Sequence, residues 1–79
     1  MIINIFGSTG IIGRKTLKLI DKNFPDLKVN LLCAKSNIGL LKKQIEKYNP
    51  KYVFIYDKKK KSELKSKINK TKVLDFEEL

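Results

Sequence analysis

The sequence predicts an α/β fold built on a parallel β-sheet, and three observations lead to this prediction. Short apolar runs alternate along the chain with segments whose apolar residues recur at helical spacing. A glycine-rich turn follows the first apolar run directly. Prolines and polar residues separate the later segments. The predicted order is β-α-β-α-β-α-β, in one small domain of 79 residues.

The first half of the chain predicts two strands and a helix between them. Ile2 to Phe6 is an apolar run of strand length, and Lys28 to Ala34 is a second run that is apolar near its end. The helix is predicted from Ile11 to about Asn23, where Pro25 and Asp26 then break the chain. Its predicted inner face, with the residue that follows the helix, comprises Ile12, Leu17, Ile20 and Phe24.

The second half predicts two more pairs of helix and strand. Asn37 can cap a second helix that ends at Asn49-Pro50, because proline disfavours helical geometry in the residue before it. A third strand is predicted over Tyr52–Tyr56, a third helix over Lys58–Lys70 and a fourth strand from Lys72 to Leu74. The inner face of the second helix is predicted to hold Leu41, Ile45 and Tyr48.

The formal net charge of +10 comes almost entirely from lysine, since Arg14 is the one arginine. A strongly basic chain can bind an anionic partner such as nucleic acid. The lysines, however, are spread over every segment, and specific nucleic-acid readout favours arginine. We therefore interpret the lysines, including the run Lys58–Lys61, chiefly as solvated surface.

The rest of the composition argues against several kinds of site. Cys33 lies within an apolar run, which favours a buried thiol over a nucleophile, and there is no histidine. No apolar stretch approaches the roughly 20 residues of a membrane span. The first strand starts at Ile2 and leaves no room for a signal peptide, so we expect a cytoplasmic protein without a membrane partner.

The turn after the first strand has the glycine spacing G-x-x-G-x-x-G. We expect Gly7 to reverse the chain, Gly10 to admit a pyrophosphate close to the backbone, and Gly13 to let the helix lie close to the sheet. Ser8 and Thr9 add hydroxyl groups at the same place. A strand, this turn and a helix together predict the phosphate-binding part of a Rossmann-like dinucleotide domain. The chain has room for about half of such a domain.

The end of the second strand indicates which dinucleotide binds. Sites that prefer NAD place an acidic residue there, about 20 residues beyond the glycines, to hold the ribose 2′-hydroxyl. This chain has Lys35, Ser36 and Asn37 instead. Because a lysine and two hydrogen-bonding side chains suit a 2′-phosphate, the segment predicts NADPH.

These two segments belong to a longer pattern. It comprises Ile5–Gly13, Thr16-Leu17, Ile20, Leu32–Asn37, Leu41, Gln44, Tyr48–Val53 and Asp57. The pattern resembles the N-terminal NADPH-binding region of 1-deoxy-D-xylulose 5-phosphate reductoisomerase, from Met1 through Thr71–Leu74. The chain departs from the family in having Ile11 where serine is common, and in having Lys-Ser-Asn where Gly-Lys-Asn is usual.

The resemblance implies an NADP-binding Rossmann region over residues 1–79, without the catalytic and C-terminal domains. Its cofactor contacts would be Gly7, Thr9, Gly10, Ile11 and Ile12 at the phosphates, and Lys35, Ser36 and Asn37 at the 2′-phosphate. The family converts 1-deoxy-D-xylulose 5-phosphate to 2-C-methyl-D-erythritol 4-phosphate in non-mevalonate isoprenoid biosynthesis. It uses NADPH and Mg, Mn or Co, and the complete enzyme is expected to be a homodimer.

No catalytic residue or metal ligand of the family falls within this chain, so we expect the isolated chain to be inactive. Two alternatives stay open. One is the nucleotide-binding part of another NAD(P)-dependent oxidoreductase, such as an extended short-chain dehydrogenase. The other is a small basic nucleic-acid-binding module, whose affinity for DNA would fall steeply as salt rises.

Overall fold

The computed structural model describes residues 2–79, so Met1, the first residue of the predicted domain, lies outside the described residues. The predicted order of strands and helices is confirmed. The elements are β1 (Ile2–Phe6), α1 (Ile11–Asn23), β2 (Lys28–Ala34), α2 (Ile38–Tyr48), β3 (Tyr52–Ile55), α3 (Lys58–Lys65), β4 (Lys72–Val73) and a terminal 3₁₀ turn (Phe76–Glu78).

The four strands form one parallel sheet in the order β1-β2-β3-β4. Every connection therefore moves in the same direction across the sheet, and right-handed crossovers of this kind place all their helices on one face. The carboxyl ends of the strands consequently lie along one edge of the sheet, where loops that precede the helices can form a ligand site.

A single apolar core lies between the sheet and the three helices. Leu17 and Ile20 of α1, Leu41 of α2 and Leu64 of α3 are all buried in it. Ile12, which the helical spacing placed on the inner face, is instead 80% exposed. The reason is geometric, because the buried face of α1 begins at Gly13 and Ile12 lies about 100° away from it on the helix. Phe24, beyond the helix, is also exposed.

The other face of the sheet has no helix against it among residues 2–79. A small apolar cluster lies there, made of Leu31 and Cys33 of β2, Phe54 of β3, and Leu74, which follows β4. Phe76 of the 3₁₀ turn approaches this cluster, with its ring 6.3 Å from that of Phe54. Large apolar side chains remain exposed beside the cluster, namely Phe6, Tyr56 and Phe76.

The ends of α2 follow the predicted caps. The Asn37 side-chain oxygen accepts a hydrogen bond from the Leu40 N–H at 3.1 Å. Asn49 takes the left-handed conformation, with φ of 47°, and its N–H donates to the Ile45 carbonyl at 2.9 Å. Pro50 then prevents the helix from continuing.

α3 is shorter than predicted and ends at Lys65 rather than at Lys70. Leu64 is its one buried residue, so little apolar surface holds a longer helix in place. The lysine-rich start of α3 is capped by Asp57, whose carboxylate accepts hydrogen bonds from the N–H groups of Lys59 and Lys60 at 3.0 and 3.1 Å. This carboxylate supplies the negative charge that a helix N-terminus favours.

The last two strands are each one residue shorter than predicted, ending at Ile55 and Val73. The residues that follow them still hydrogen-bond to the neighbouring strand. Tyr56 N–H donates to the Ala34 carbonyl at 3.1 Å, and Leu74 N–H donates to the Val53 carbonyl at 2.8 Å.

Across residues 2–79, none of the helices has the length and apolar content needed to cross a bilayer.

A polar contact joins α1 and α2 near their carboxyl ends, where Tyr48 is half-buried against the core as the sequence predicted. The Tyr48 hydroxyl donates to Asp21 Oδ2 at 2.7 Å, and Lys47 Nζ lies 2.8 Å from the same oxygen. The hydrogen bonds from Lys47 and Tyr48 lower the pKa of Asp21 below its ordinary value of 3.8. The pKa of Lys47 is raised by its bond to Asp21, and that of Tyr48 is raised by burial and then by Asp21.

Gly13 allows a close approach between α1 and the turn that precedes it. A Cβ at this position would lie 2.7 Å from the Cα of Ser8 and closer still to the Gly7 carbonyl oxygen. Both are backbone atoms, so they cannot move aside as a flexible side chain would. The sequence predicted a glycine that brings the helix close to the sheet, and the structure shows that the contact is with the turn itself.

We expect Gly13→Ala to lower the free energy of unfolding by about 3 kcal/mol or more, because the new methyl group overlaps the backbone. Urea unfolding followed by circular dichroism measures this. Gly39→Ala is the matched control, since a Cβ there meets only the Asn37 side chain, at 3.8 Å. The control is expected to stabilise the chain by about 0.5 kcal/mol. Equal effects of the two substitutions would contradict the proposed clash.

Asp21→Asn is expected to destabilise the chain slightly at pH 7, since asparagine can still accept the Tyr48 hydrogen bond but has no charge for Lys47. A carboxyl whose pKa is lowered on folding contributes its stability above the unfolded pKa and loses it as pH falls through the folded value. The difference between the two proteins should therefore begin to shrink as pH falls through 3.8 and should be lost below the lowered pKa of Asp21. Urea midpoints measured from pH 7 to pH 2 test this, and a difference that persists at pH 2 would contradict it.

Candidate nucleotide-binding site

The glycine turn begins where β1 ends, and the neighbouring strand holds it in place. Gly7 has a φ of +76°, a conformation that favours glycine. The N–H groups of Gly7 and Ser8 both donate to the carbonyl oxygen of Cys33, at 2.9 Å each. The Gly10 N–H donates back to the Gly7 carbonyl at 3.0 Å and closes the turn.

The start of α1 presents backbone N–H groups without helical partners. Gly10 is the N-cap, with extended backbone geometry and no side-chain hydrogen bond at the cap. The Arg14 N–H donates to the Gly10 carbonyl at 3.0 Å, so the N–H groups of Ile11, Ile12 and Gly13 precede this bond. The first turn contains no acidic residue. The positive end of the helix dipole is therefore uncompensated, as a phosphate site requires.

Gly10 differs from Gly13 in what a side chain would meet. A Cβ at Gly10 would have one neighbour, the Gly7 carbonyl oxygen at 3.4 Å, which is an ordinary contact. Packing within the chain therefore does not require glycine at this position. A ligand that approaches this backbone closely, as a pyrophosphate does at the middle glycine of such a turn, would require it.

The side chains of the turn point in different directions. Ser8 is fully buried and its hydroxyl has no hydrogen-bond partner among the described residues, so the expectation that Ser8 adds a hydroxyl to the site is wrong. Thr9 is half-buried, whereas Ile11 and Ile12 are 65% and 80% exposed. With Phe6 they line an open groove of about 510 Å³ along the turn.

The segment Lys35–Asn37 lies at the same edge of the sheet as the glycine turn. Phe6 of β1 pairs with Cys33 of β2, and the Cys33 carbonyl accepts the two hydrogen bonds from the turn. Lys35 comes two residues after Cys33 and therefore lies close to the turn. All three side chains of the segment are exposed. The Asn37 oxygen is occupied by the cap of α2, which leaves its amide nitrogen as a donor.

The backbone of this segment is held by its neighbours. The Lys35 carbonyl accepts a hydrogen bond from the Asp57 N–H at 2.9 Å, and the Ser36 carbonyl accepts one from the Ile38 N–H at 2.9 Å. The structure thus brings all the predicted cofactor residues to one edge, in two adjacent groups. The first is Gly7, Thr9, Gly10, Ile11 and Ile12, and the second is Lys35, Ser36 and Asn37.

Gln44 of α2 also reaches the turn, although the sequence alone assigned it no role. Its side-chain Nε2 donates to the Ser8 carbonyl at 2.8 Å, and the residue is 6% exposed. The available signal was a polar residue between Leu41 and Ile45, at a helix position that faces the core. A buried amide requires hydrogen-bond partners, which periodicity cannot identify.

Other chemistry at this edge is limited. Burial raises the pKa of the Cys33 thiol to about 11, so this side chain is a protonated core residue at neutral pH. Within residues 2–79, no group of three histidine, cysteine, aspartate or glutamate residues is placed to hold a metal ion. The arrangement can therefore bind and orient an anionic ligand by backbone N–H groups and a lysine.

This chain is similar to known proteins over nearly its whole length. The family model for 1-deoxy-D-xylulose 5-phosphate reductoisomerase matches residues 3–78. The reductoisomerase of Lachnoclostridium phytofermentans is 47% identical over 72 residues, which cover 91% of this chain and 18% of the relative. That of Thermodesulfovibrio yellowstonii is 46% identical over 71 residues, covering 89% of this chain and 18% of the relative.

A solved structure has the same fold over this region. The 1-deoxy-D-xylulose 5-phosphate reductoisomerase from Zymomonas mobilis in complex with NADPH superposes with a TM-score of 0.83 and 28% identity. The match covers 91% of this chain and 20% of that chain. The chain thus spans about a fifth of the length of the proteins it matches. The family match, the relatives and the shared fold together show that this chain belongs to the 1-deoxy-D-xylulose 5-phosphate reductoisomerase family.

Proposed function

We propose that residues 1–79 form the first part of an NADPH-binding domain of a reductoisomerase. The observation that carries this proposal is the pair of hydrogen bonds from Gly7 and Ser8 to the Cys33 carbonyl. These bonds place the exposed N–H groups of the turn beside a strand end that has a lysine and no acidic residue. A phosphate-binding turn next to a strand end with a lysine and no acidic residue has the chemistry of a 2′-phosphorylated dinucleotide site.

The two groups of residues would have different roles in binding. Gly10, with the N–H groups of Ile11 and Ile12, would receive the pyrophosphate, and the exposed apolar side chains would shield it from water. Gly7 shapes the turn, and Thr9 offers a hydroxyl and an N–H at its side. The second group would hold the 2′-phosphate, and comprises Lys35, Ser36 and Asn37. Together they would orient the nicotinamide for hydride transfer.

The remaining properties of the enzyme are proposed for the complete family protein. They are the conversion of 1-deoxy-D-xylulose 5-phosphate to 2-C-methyl-D-erythritol 4-phosphate, dependence on a divalent cation, a homodimeric state and a cytoplasmic location. The described residues do not provide a metal site, so we propose that the metal ligands come from other parts of the enzyme. The same holds for the groups that contact the sugar phosphate.

Lys35→Ala is expected to weaken NADPH binding about tenfold and to leave NADH binding unchanged, because only NADPH has a 2′-phosphate for the ammonium group. Titration calorimetry with both cofactors measures this. The matched control is Lys28→Ala, which removes the same charge at the amino-terminal end of β2, whereas Lys35 follows its carboxyl end. A chain that binds NADH as tightly as NADPH would refute the proposed 2′-phosphate site.

The 79-residue chain is expected to show no turnover when incubated with 1-deoxy-D-xylulose 5-phosphate, NADPH and Mg²⁺. The reason is that the resemblance places the family's catalytic residues outside this chain, and the described residues include no group of three side chains that could hold a metal ion. The oxidation of NADPH, followed by its absorbance, is the measurement, with a sample lacking protein as the blank. Oxidation above the blank would overturn this expectation without affecting the binding proposal.

A further inference from the structure

The glycine turn contains one peptide group whose orientation depends on a distant side chain. The Gly7–Ser8 peptide is held on both sides by backbone, since the Ser8 N–H donates to Cys33 and the Gly7 carbonyl accepts from Gly10. The next peptide joins Ser8 to Thr9. Within the described residues, this peptide makes one hydrogen bond: its carbonyl, that of Ser8, accepts from Gln44 Nε2 at 2.8 Å.

This bond determines where the Thr9 N–H points. A trans peptide is planar, so its carbonyl and its N–H point in opposite directions. The Ser8 carbonyl points to the buried side chain of Gln44, and the Thr9 N–H therefore points away from α2. Among the hydrogen bonds of the described residues, the Thr9 N–H has no acceptor. It is thus a free donor beside Gly10 and the start of α1.

We propose that Gln44 is a positioning residue that aims the Thr9 N–H at the cofactor's pyrophosphate. The cofactor part of this inference rests on the proposed function, whereas the orientation of the peptide does not. A buried carbonyl that loses its donor is costly, and it would turn toward water. The same rotation would turn the Thr9 N–H away from the ligand. Gln44 would therefore affect binding although it contacts no cofactor.

The experiment uses Gln44→Met, which removes the donor and keeps a side chain of similar length. Gln44→Glu is the second variant and is measured above the pKa of the introduced carboxyl, because it has nearly the same shape and its ionised carboxylate cannot donate. Ile45→Val is the matched control, since Ile45 is the next residue of α2, is buried in the core and takes no part in this hydrogen bond. All affinities are measured at a temperature where each protein is folded by circular dichroism.

The first measurement is made without cofactor. The residual dipolar coupling of the Thr9 N–H reports the direction of that bond in the ligand-free chain. We expect it to change in Gln44→Met and Gln44→Glu, while the couplings of Gly7 and Ser8, which are bound to Cys33, stay as they are. Ile45→Val should change none of them. An unchanged Thr9 coupling in both Gln44 variants would overturn the proposal.

The second measurement separates positioning from general destabilisation. Gln44→Met is expected to raise the Kd for NADPH about tenfold, as the loss of one hydrogen bond to a charged group would. It should leave the Kd for adenosine 2′-monophosphate unchanged, because this ligand has the 2′-phosphate and no pyrophosphate. Equal weakening of both ligands would indicate a purely structural role and would overturn the proposal.

The two proposals fail in different ways. If the unsubstituted chain binds neither NADPH nor adenosine 2′-monophosphate, the proposed function fails. The orientation of the Thr9 peptide by Gln44 is then still decided by the dipolar couplings. If the chain binds NADPH and the couplings change but the NADPH affinity of the Gln44 variants does not, the Thr9 N–H is not a cofactor contact and the inference fails alone.

Discussion

The carbonyl oxygen of Cys33 accepts two hydrogen bonds, and the arrangement of the site depends on them. They attach the glycine turn to the end of β2 through the N–H groups of Gly7 and Ser8. Without them the turn would be joined to the sheet only by its own strand. With them, a helix N-terminus and the end of the neighbouring strand face the same space. The Cys33 side chain is buried in the small apolar cluster on the sheet face opposite the helices, and this burial holds the Cys33 carbonyl in place.

The close packing of α1 on the turn gives the second constraint. Because Gly13 has no side chain, the first turn of α1 lies directly against the backbone of Gly7 and Ser8. Gln44 supports the same turn from α2, so two strands, β1 and β2, and two helices, α1 and α2, all contact the turn. A phosphate-binding site made of backbone N–H groups needs such support, because a hydrogen-bond donor contributes most to the binding free energy when its direction is fixed before the ligand binds.

Local signals in the sequence predicted most element boundaries, and the failures have identifiable causes. Glycine, proline and capping residues act on their immediate neighbours, so the bounds of the first four elements could be predicted from them. α3 ended early because its helical propensity is not supported by burial beyond Leu64. Ile12 was assigned to the core because periodicity gives the spacing of a buried face but not its starting point, which Gly13 determines.

For the candidate site, the sequence likewise predicted the features that depend on neighbouring residues and missed the features that depend on residues distant in the chain. The sequence by itself determined the fold class, the glycine turn and the acid-free end of β2, since each depends on residues adjacent in the chain. Only the tertiary structure decided that the Ser8 hydroxyl is buried, that Asn37 uses its oxygen in a cap, and that Gln44 reaches the turn. Gln44 and Ser8 are 36 residues apart, and no local propensity specifies a contact of that range. It forms because the parallel crossover stacks α2 beside α1 on one face of the sheet.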